Sequence, residues 1–347
     1  FAVIRFHGKL YLFLRAPQGS RGAPLLWART CALVSRLAMS TCDLKKVKLN
    51  TYVDDPSFMT VGSQADNQRT VVRLVCCWLL LGFKMAFSKA ECAGLEQTIT
   101  WTSIRICLHR DAVTVQVKEQ IVSDVEEHLL RLLSTNVIAE DDLVSFLGKA
   151  NCVAGLMHVW RPFLGMAWGA LYDRKKRGSA PRNCVWKTQV EIPLLWCVAF
   201  LRNESDEMIR HYTIEAYTRR GDRVLITTDA SPWAIGAFLV IGGVVKRFFF
   251  QAVQDEDLAI LKVKRGDHRA QQAFESLALL VALREWEDVW KGLRVAMTVR
   301  SDSVAGLTAM LKFKSAGYAP AIVARAAALL IGRSTYTPII FHHIPGI

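Results

Sequence analysis

Long apolar runs and paired cysteines are both missing from this chain of 347 residues. The longest uncharged stretch, Ala230 to Val245, is shorter than the ~18–20 apolar residues of a membrane-spanning helix, and Pro232 interrupts it. The nine cysteines contain no C-x-x-C pair, a spacing that predicts no zinc site and fits a reducing, intracellular compartment. Because Arg5 and Lys9 break the first apolar run, we expect no secretory signal there.

Acidic residues are scarce relative to basic ones, since 31 Asp and Glu stand against 44 Lys and Arg, giving a net charge of +13. This balance favours a polyanionic partner, nucleic acid first and an anionic membrane surface second, although a soluble basic protein has the same composition. With 52% hydrophobic and 22% charged residues the chain is predicted to be globular rather than disordered. Its length suits two or more domains.

Two adjacent carboxylates, Asp54 and Asp55, follow Tyr52 between two strand-forming segments. Residues 47–51 and 58–61 alternate as strands do, and the turn residues near them predict a hairpin with the acidic pair at its bend. Two carboxylates at a tight turn repel each other unless a cation lies between them, and oxygen ligands suit Mg²⁺. The alternative is a solvated surface turn.

Three more carboxylates lie in the second half of the chain, at positions where acidic residues are unusual. Asp229 follows the apolar strand segment 224–228, Asp302 ends another predicted strand, and Glu275 lies within the nearly apolar helical segment 273–283. An ionisable group in such a helix is costly unless it is paired or bound to metal. Carboxylates at strand ends and on a helix can converge at the carboxyl edge of a sheet. Taken singly, each is more often a cap or a surface charge.

The order of several motifs resembles that of reverse transcriptases, closely those of long-terminal-repeat-type and related retrotransposons. The matching elements are the loop Pro17-Gln18-Gly19 with Ala23-Pro24, the Tyr52–Asp55 hairpin, Leu81-Gly82-Phe83 with Ser88-Lys89, the strand from Trp101 to Ile106, and the thumb-like segments 143–149 and 159–164. The resemblance implies a polymerase palm in which Asp54 and Asp55 bind metal for nucleotidyl transfer, with two ions roughly 3.5–4 Å apart. It further implies contacts of Pro17, Gln18 and Gly19 with template or nucleotide. The resemblance also places Tyr52 and Lys89 among the residues that bind template or nucleotide, with Lys89 next to the pyrophosphate.

Residues 223–347 resemble the ribonuclease H domain that follows the polymerase in the same family. Asp229, Glu275 and Asp302 match its first three metal ligands, and His343 matches the histidine of its His-x-Pro-Gly loop. The resemblance implies two-metal hydrolysis of the RNA strand of an RNA–DNA hybrid. The family pattern also has an Asp upstream of the Pro17 loop and a fourth ribonuclease H Asp after the histidine loop. Neither has a counterpart here, so we expect the chain to be a piece of a longer polyprotein.

The predicted fold class is α/β: an α+β palm with a helical thumb-like segment, followed by a ribonuclease H-like domain with a mixed sheet. The predicted parts are a palm over 1–110, a thumb-like segment over 111–172, a basic linker or connection over 173–222, and the ribonuclease H-like domain over 223–347. Within the linker, the basic residues expected to follow a nucleic-acid backbone are Arg174, Lys175, Lys176 and Arg177. A solvated linker is the alternative.

The function implied by resemblance is RNA-directed DNA synthesis coupled to hydrolysis of the RNA strand of hybrids, with Mg²⁺, or alternatively Mn²⁺, as cofactor. The implied partners are an RNA template, a DNA primer, an RNA–DNA hybrid and dNTP, with no membrane. Two alternatives remain: an inactive nucleic-acid-binding remnant, and a ribonuclease H-like nuclease whose polymerase half is a scaffold. A cytoplasmic or nuclear location is expected, and the sequence does not indicate an oligomeric state.

Overall fold

The computed structural model describes residues 3–12, 21–172, 180–204, 208–218, 220–291, 295–313, 317–332 and 340–344. The loop Pro17-Gln18-Gly19 and the basic run Arg174 to Arg177 lie outside these residues, so their contacts stay predictions. The fold is mixed α/β, as predicted. The chain divides into two compact units, Phe1–Cys92 with Thr100–Thr102, and Ala93–Ile99 with Ser103–Ile347. Within the described ranges no helix is both long and apolar enough to cross a membrane.

The first unit is built from two hairpins and two long helices. Its elements are β1 (Val3–Phe6), β2 (Lys9–Leu12), α1 (Ala23–Ser40), β3 (Val47–Tyr52), β4 (Asp55–Thr60) and α2 (Gln64–Leu80). Helix α2 begins after Ser63, whose Oγ accepts the N–H of Asp66 at 3.2 Å, and ends before Gly82 at a φ of 85°. A small buried cluster holds the helices on β3: Val34, Ala38, Val47, Leu74 and Trp78.

The second unit begins with a sheet and a set of packed helices. These elements are β5 (Thr98–Trp101, in which the division between units falls), β6 (Ile104–Leu108), β7 (Ala112–Val117), α3 (Glu119–Leu133), β8 (Val137–Ala139), α4 (Glu140–Leu156), α5 (Arg161–Tyr172), β9 (Cys184–Trp186), α6 (Lys187–Leu201), β10 (Ile209–Thr213) and α7 (Ile214–Tyr217). Strands β10, β7, β6 and β5 form one sheet in that order. A 3-10 turn at His158–Trp160 separates α4 from α5.

The segment expected to be a basic linker, 173–222, is largely structured in its described part. Helix α6 buries Leu194, Cys197 and Phe200 in the main core of the second unit, and β10 pairs antiparallel with β7. Burial of this apolar face outweighs the cost of Pro193 inside the helix. The described part therefore is not a solvated linker. The predicted boundaries at 110, 172 and 222 stay predictions about domains.

The rest of the second unit is a five-stranded mixed sheet with helices packed on it. Its elements are β11 (Asp222–Ala230), β12 (Ala234–Ile241), β13 (Val244–Ala252), α8 (Asp255–Leu261), α9 (Gln271–Glu285), α10 (Glu287–Trp290), β14 (Val295–Ser301), α11 (Val304–Lys312), α12 (Tyr318–Gly332) and β15 (Ile340–His343). The strand order is β13-β12-β11-β14-β15. The first three strands are antiparallel, whereas β11, β14 and β15 run parallel. Crossover helices between parallel strands cover the sheet and bury its core.

Candidate active site

Two parallel strands bring Asp229 and Asp302 to the same edge of the five-stranded sheet. In the register of β11 and β14 the last pair is Thr227 opposite Arg300. Asp229 and Asp302 each lie two residues beyond that pair, so the two positions are level with each other. Both residues are exposed. The parallel pairing alone therefore places two carboxylates next to each other at the carboxyl ends of the strands.

The third carboxylate, Glu275, comes from a helix that is buried on nearly every face. Helix α9 packs against β11, β12 and α12, and ten of its fifteen residues are buried. Glu275 is only 5% exposed although it lies between apolar residues such as Phe274 and Leu277. Burying an ionised carboxylate costs free energy unless a cation or hydrogen bonds compensate it. The helix therefore carries a group that packing alone does not explain.

The three carboxylates form one cluster. Their ligand oxygens all lie within 4.8 Å of one another. Burial, together with the negative charges of Asp302 and Asp229, raises the pKa of Glu275 from its usual 4.5 to about 7, although hydrogen bonding from Gln271 and Ser301 opposes the rise. A cluster of this kind holds excess negative charge above neutral pH and has a high tendency to take up a proton or a metal ion.

Gln271 fixes one oxygen of Glu275 and ties helix α9 to the strand end. Its side-chain Nε2 donates to Oε1 of Glu275 at 2.7 Å and to the backbone carbonyl of Ala230 at 2.6 Å. The other oxygen of Glu275, Oε2, is buried and accepts no hydrogen bond of standard geometry among the described residues, although the Ser301 hydroxyl lies close enough to lower the pKa of Glu275. A buried carboxylate oxygen without a hydrogen bond is costly, and an ion or an ordered water can compensate it. Oε2 is therefore the atom best suited to bind an ion.

Gly306 lets helix α11 approach Glu275 closely. A Cβ placed on Gly306 would lie 2.9 Å from the Cβ of Glu275 and 3.1 Å from Oγ of Ser303. The same Ser303 caps α11 by accepting the N–H of Gly306 at 3.0 Å. Since Cβ atoms are fixed to the backbone, any side chain at Gly306 would push the two helices apart. The glycine thus helps to set the position of Glu275.

The residues of this cluster fit a hard divalent cation. Three carboxylates supply the oxygen ligands that Mg²⁺ or Mn²⁺ prefers, and Oε2 of Glu275 lacks another partner. Asp229, Glu275 and Asp302 would hold the ion, while Gln271 keeps Oε1 oriented. A bound ion of this class polarises a phosphoryl oxygen and lowers the pKa of a bound water.

His343 lies beside Asp302 on the neighbouring strand. Strand β15 pairs parallel with β14, with His343 opposite Ser301. The Nε2 of His343 is 2.9 Å from the backbone carbonyl of Asp302, and because a carbonyl only accepts, Nε2 carries the proton of the bond. The neutral ring then has its lone pair on Nδ1, in an exposed side chain. His343 can accept or return a proton next to the carboxylate cluster.

The acidic pair of the first unit lies on a two-residue turn. Tyr52 pairs with Asp55, so Val53 and Asp54 form the turn, and Val53 has a left-handed φ of 55°. That conformation is strained for a β-branched residue. Asp54 and Asp55 are both exposed, as is Tyr52. No described carboxylate, histidine or cysteine completes a three-ligand metal cluster with this pair.

Two tryptophans hold this strained turn by its backbone. The indole Nε1 of Trp27 on α1 donates to the carbonyl of Val53 at 2.6 Å, and that of Trp101 donates to the carbonyl of Asp55 at 3.2 Å. Both indole N–H groups are therefore used to bond the backbone of the turn. Lys89, the remaining described residue of the predicted nucleotide set, is exposed at the end of a 3-10 turn, Phe87–Lys89.

Sequence reasoning missed Gln271 and Gly306. A signal for Gln271 exists, because a residue four positions before Glu275 lies on the same helix face one turn earlier. Gly306 had no such signal, since its role depends on the distance between two helices far apart in sequence. The structure brings Asp229, Glu275, Asp302 and His343 together; their catalytic roles stay predictions.

No protein-family model matches the chain, and neither does any curated protein. Among solved structures, the chain is similar to a foamy viral protease-reverse transcriptase in complex with RNA/DNA hybrid, at 14% identity and a TM-score of 0.44, covering 99% of this chain and 40% of that one. The same viral protein in complex with dsDNA gives 14% identity, a TM-score of 0.43 and coverages of 99% and 63%. RNase H1 from Halobacterium salinarum NRC-1 gives 17% identity, a TM-score of 0.25 and coverages of 36% and 85%.

The chain thus spans between 40% and 63% of the length of the viral structures it resembles. TM-scores below 0.5 at identities this low do not establish a function. The functional assignment therefore rests on the residues of the site.

Proposed function

We propose that Asp229, Glu275 and Asp302 form a metal-dependent phosphodiesterase site of the ribonuclease H type, acting on the RNA strand of RNA–DNA hybrids. The observation that carries the proposal is the convergence of three carboxylates within 4.8 Å, one of them buried with an unpaired oxygen. Such a group suits the binding of a divalent cation at a phosphate. The net charge of +13 supports a polyanionic substrate.

Each residue has a distinct task in this proposal. Asp229 and Asp302, exposed at the strand ends, face incoming phosphate and hold metal there together with Glu275. Gln271 keeps Glu275 in one orientation. His343 accepts a proton from the attacking water on the lone pair of Nδ1, and the protonated ring then delivers it to the leaving oxygen. Because metal must displace the proton of Glu275, metal affinity should rise as pH passes about 7.

Cleavage of a hybrid with an end-labelled RNA strand tests the proposal. In Mg²⁺ the chain should cut the RNA strand and leave the DNA strand intact, and Asp229→Asn should slow cutting by about a thousandfold, since metal stabilisation contributes several kcal/mol. Asp222→Asn is the matched control, because Asp222 is an exposed Asp at the opposite end of the same strand. Cutting by Asp229→Asn at the rate of the control would refute the assignment.

The second candidate function is nucleotidyl transfer at Asp54 and Asp55, as part of an RNA-directed DNA polymerase that uses an RNA template, a DNA primer and dNTP. The observation in its favour is the strained turn, which two indole N–H groups hold so that adjacent carboxylates remain exposed. Together the two activities would make the chain part of a retroelement reverse transcriptase with ribonuclease H activity and Mg²⁺ as cofactor.

Primer extension tests this second candidate. Asp54→Asn should abolish Mg²⁺-dependent extension of a DNA primer on an RNA template, whereas Asp43→Asn, a turn residue of the same unit, should not change it. Extension by Asp54→Asn at the unaltered rate would exclude the polymerase function. If the chain neither extends nor cleaves but binds hybrids with steep salt dependence, the inactive binding remnant is the correct interpretation.

A further inference from the structure

We propose a second metal site in this chain, a zinc site made by Glu96, Cys107 and His109. These three side chains offer a carboxylate oxygen, a thiolate sulfur and an imidazole nitrogen within 4.8 Å of one another. All three belong to the second unit, and none belongs to the carboxylate cluster described above. The site is separate from the proposed nuclease function in residues and in ligand chemistry.

The strand geometry places two of the ligands on one face. Cys107 lies in β6 and His109 follows it two residues later, so their side chains point the same way. The chain turns immediately, because the N–H of His109 donates to the carbonyl of Ala112 at 2.8 Å. This turn holds the imidazole at the end of the hairpin formed by β6 and β7.

The third ligand is held by its backbone. The N–H of Glu96 donates to the carbonyl of Leu108 at 2.8 Å, which fixes Glu96 beside the strand between Cys107 and His109. Glu96 has a left-handed φ of 60°, a conformation that a non-glycine residue adopts at a cost and that marks functional positions. The carboxylate Oε2 lies 2.6 Å from Nδ1 of His109.

The other nitrogen of His109 has the partner that a metal-binding histidine needs. Nε2 lies 3.0 Å from Oγ1 of Thr114, which is opposite Cys107 on β7. The 2.6 Å contact is a hydrogen bond in which Nδ1 donates to the carboxylate of Glu96, so a metal ion would displace this proton and Nε2 would then donate to Thr114. A ligating histidine typically donates its second ring N–H in this way, which fixes its tautomer.

The donor set selects zinc over the hard cations. A thiolate with an imidazole and a carboxylate suits Zn²⁺, whereas Mg²⁺ prefers oxygen ligands only. Tetrahedral bond lengths of about 2.0–2.3 Å place donors about 3.3–3.8 Å apart, which lies within the 4.8 Å limit of the cluster. Metal binding would therefore replace the 2.6 Å hydrogen bond between Glu96 and His109 and move these two side chains slightly apart. The fourth position would go to water. Cysteine spacing predicted no zinc site, because these ligands come from a hairpin and an adjacent loop rather than from a C-x-x-C pair.

Cobalt substitution provides the test, with Co²⁺ as the spectroscopic probe for Zn²⁺. Co²⁺ added to the full chain should give intense tetrahedral d–d bands and a thiolate charge-transfer band, and equimolar Zn²⁺ but not excess Mg²⁺ should remove both. Cys107→Ser should lose the charge-transfer band. Cys92→Ser, which changes an exposed cysteine outside the cluster, should keep it.

Two milder variants keep the test informative if Cys107→Ser folds poorly. Thr114→Val retains a strand-forming residue but removes the partner of Nε2, and should weaken Zn²⁺ affinity about 10–100-fold. Glu96→Gln should weaken it at least as much. Affinity unchanged in both variants, a charge-transfer band that survives in Cys107→Ser, or weak octahedral Co²⁺ spectra in the unaltered chain would each overturn the proposal.

Discussion

The two acidic groups of this chain differ in what holds them in place. Asp54 and Asp55 lie on a two-residue turn in a unit whose buried cluster has five side chains. Asp229, Glu275 and Asp302 come from two strands and a helix that share one large core. A turn can present adjacent carboxylates by local geometry. A packed core is needed to bring together Asp229 and Glu275, which are 46 positions apart, and Glu275 and Asp302, which are 27 positions apart.

Burial is the second difference, and it changes the chemistry. Asp54 and Asp55 are solvated, whereas Glu275 is buried, has a pKa raised to about 7 by that burial, and leaves one oxygen without a partner. Two motifs that match their families equally well in sequence can therefore differ in how firmly the structure holds their carboxylates. In the described chain, the three-carboxylate cluster has the geometry of a metal site by itself, and the turn has only two of the ligands it would need.

The largest expected effect separates the two groups in one assay. Asp302→Asn should slow Mg²⁺-dependent hybrid cleavage by about a thousandfold, because it removes one of three metal ligands, while Asp54→Asn should leave the rate unchanged. Timed cleavage of a labelled RNA strand measures both. Equal losses in the two variants would mean that the acidic groups do not act independently, and the comparison would fail.

A smaller effect concerns the close approach of α11 to Glu275. Gly306→Ala should destabilise the second unit by about 1–3 kcal/mol, because its Cβ would lie 2.9 Å from the Cβ of Glu275. Gly148→Ala in the middle of α4 is the control, since nothing lies within 4 Å of the added Cβ. The control should gain about 0.5–1 kcal/mol from helix propensity. Urea denaturation followed by circular dichroism measures both, and a stabilising Gly306→Ala would show that the helices are free to separate.

The pH dependence of stability tests the buried carboxylate. The folded pKa of Glu275 is about 7 and its usual value is 4.5, so between these values the folded state binds more protons than the unfolded state. Stability should therefore fall as pH rises across this window, and the loss should be complete above 7. Glu275→Gln should remove that loss, so without divalent metal the melting temperature of the variant should increasingly exceed that of the unaltered chain as pH rises through the window.

The matched control for this titration is Glu285→Gln, an exposed glutamate at the end of the same helix. It should melt like the unaltered chain at every pH. A melting temperature of Glu275→Gln that follows the unaltered chain above pH 7 would mean that Glu275 is not held at a raised pKa.

The smallest effect is expected at the turn of the first unit. Trp27→Phe removes the N–H that donates to Val53 at 2.6 Å and should cost about 1 kcal/mol locally. Native-state hydrogen exchange of the β3 and β4 amides measures this cost without requiring the whole chain to unfold in one step. Leu26→Ala, a change at an exposed neighbour on α1, should leave these amides unaffected. Unchanged exchange in Trp27→Phe would show that the turn does not depend on the indole.

Much of the fold was accessible from sequence because local signals agreed with the final packing. The hairpin β3–β4, helix α1 and the strands that carry Asp229 and Asp302 follow from alternation, periodicity and turn residues. Glu275 was recognisable because a charged residue in an apolar helix is rare. The sequence signals for these elements are local, because each lies within the element itself or in its flanking turns.

Other elements depend on tertiary contacts and so gave weak local signals. Helix α12 is apolar at almost every position, so it lacks the alternation of polar and apolar faces that predicts a surface helix. Pro320 in its first turn is the local signal for the start of a helix. Helix α6 contains Pro193 and follows a basic run, and this combination predicts a linker. Burial of its apolar side chains in the core stabilises the helix instead. The 3-10 turn at His158–Trp160, which separates α4 from α5, likewise has only a weak local sequence signal. Gly306 and the Glu96 site depend on distances between segments that no local pattern gives, whereas Gln271 has a local signal in its spacing from Glu275.

The most direct test of the central claim is a calorimetric titration of the chain with Mg²⁺ at pH 7, in two buffers of different ionisation enthalpy. Because Glu275 is partly protonated there, binding at the carboxylate cluster should release protons, so the observed heat should differ between the buffers. Glu275→Gln should lose this buffer-dependent heat, and Asp54→Asn should retain it. If Glu275→Gln binds Mg²⁺ with the same heats as the unaltered chain, the buried carboxylate is not a metal ligand and the account is wrong.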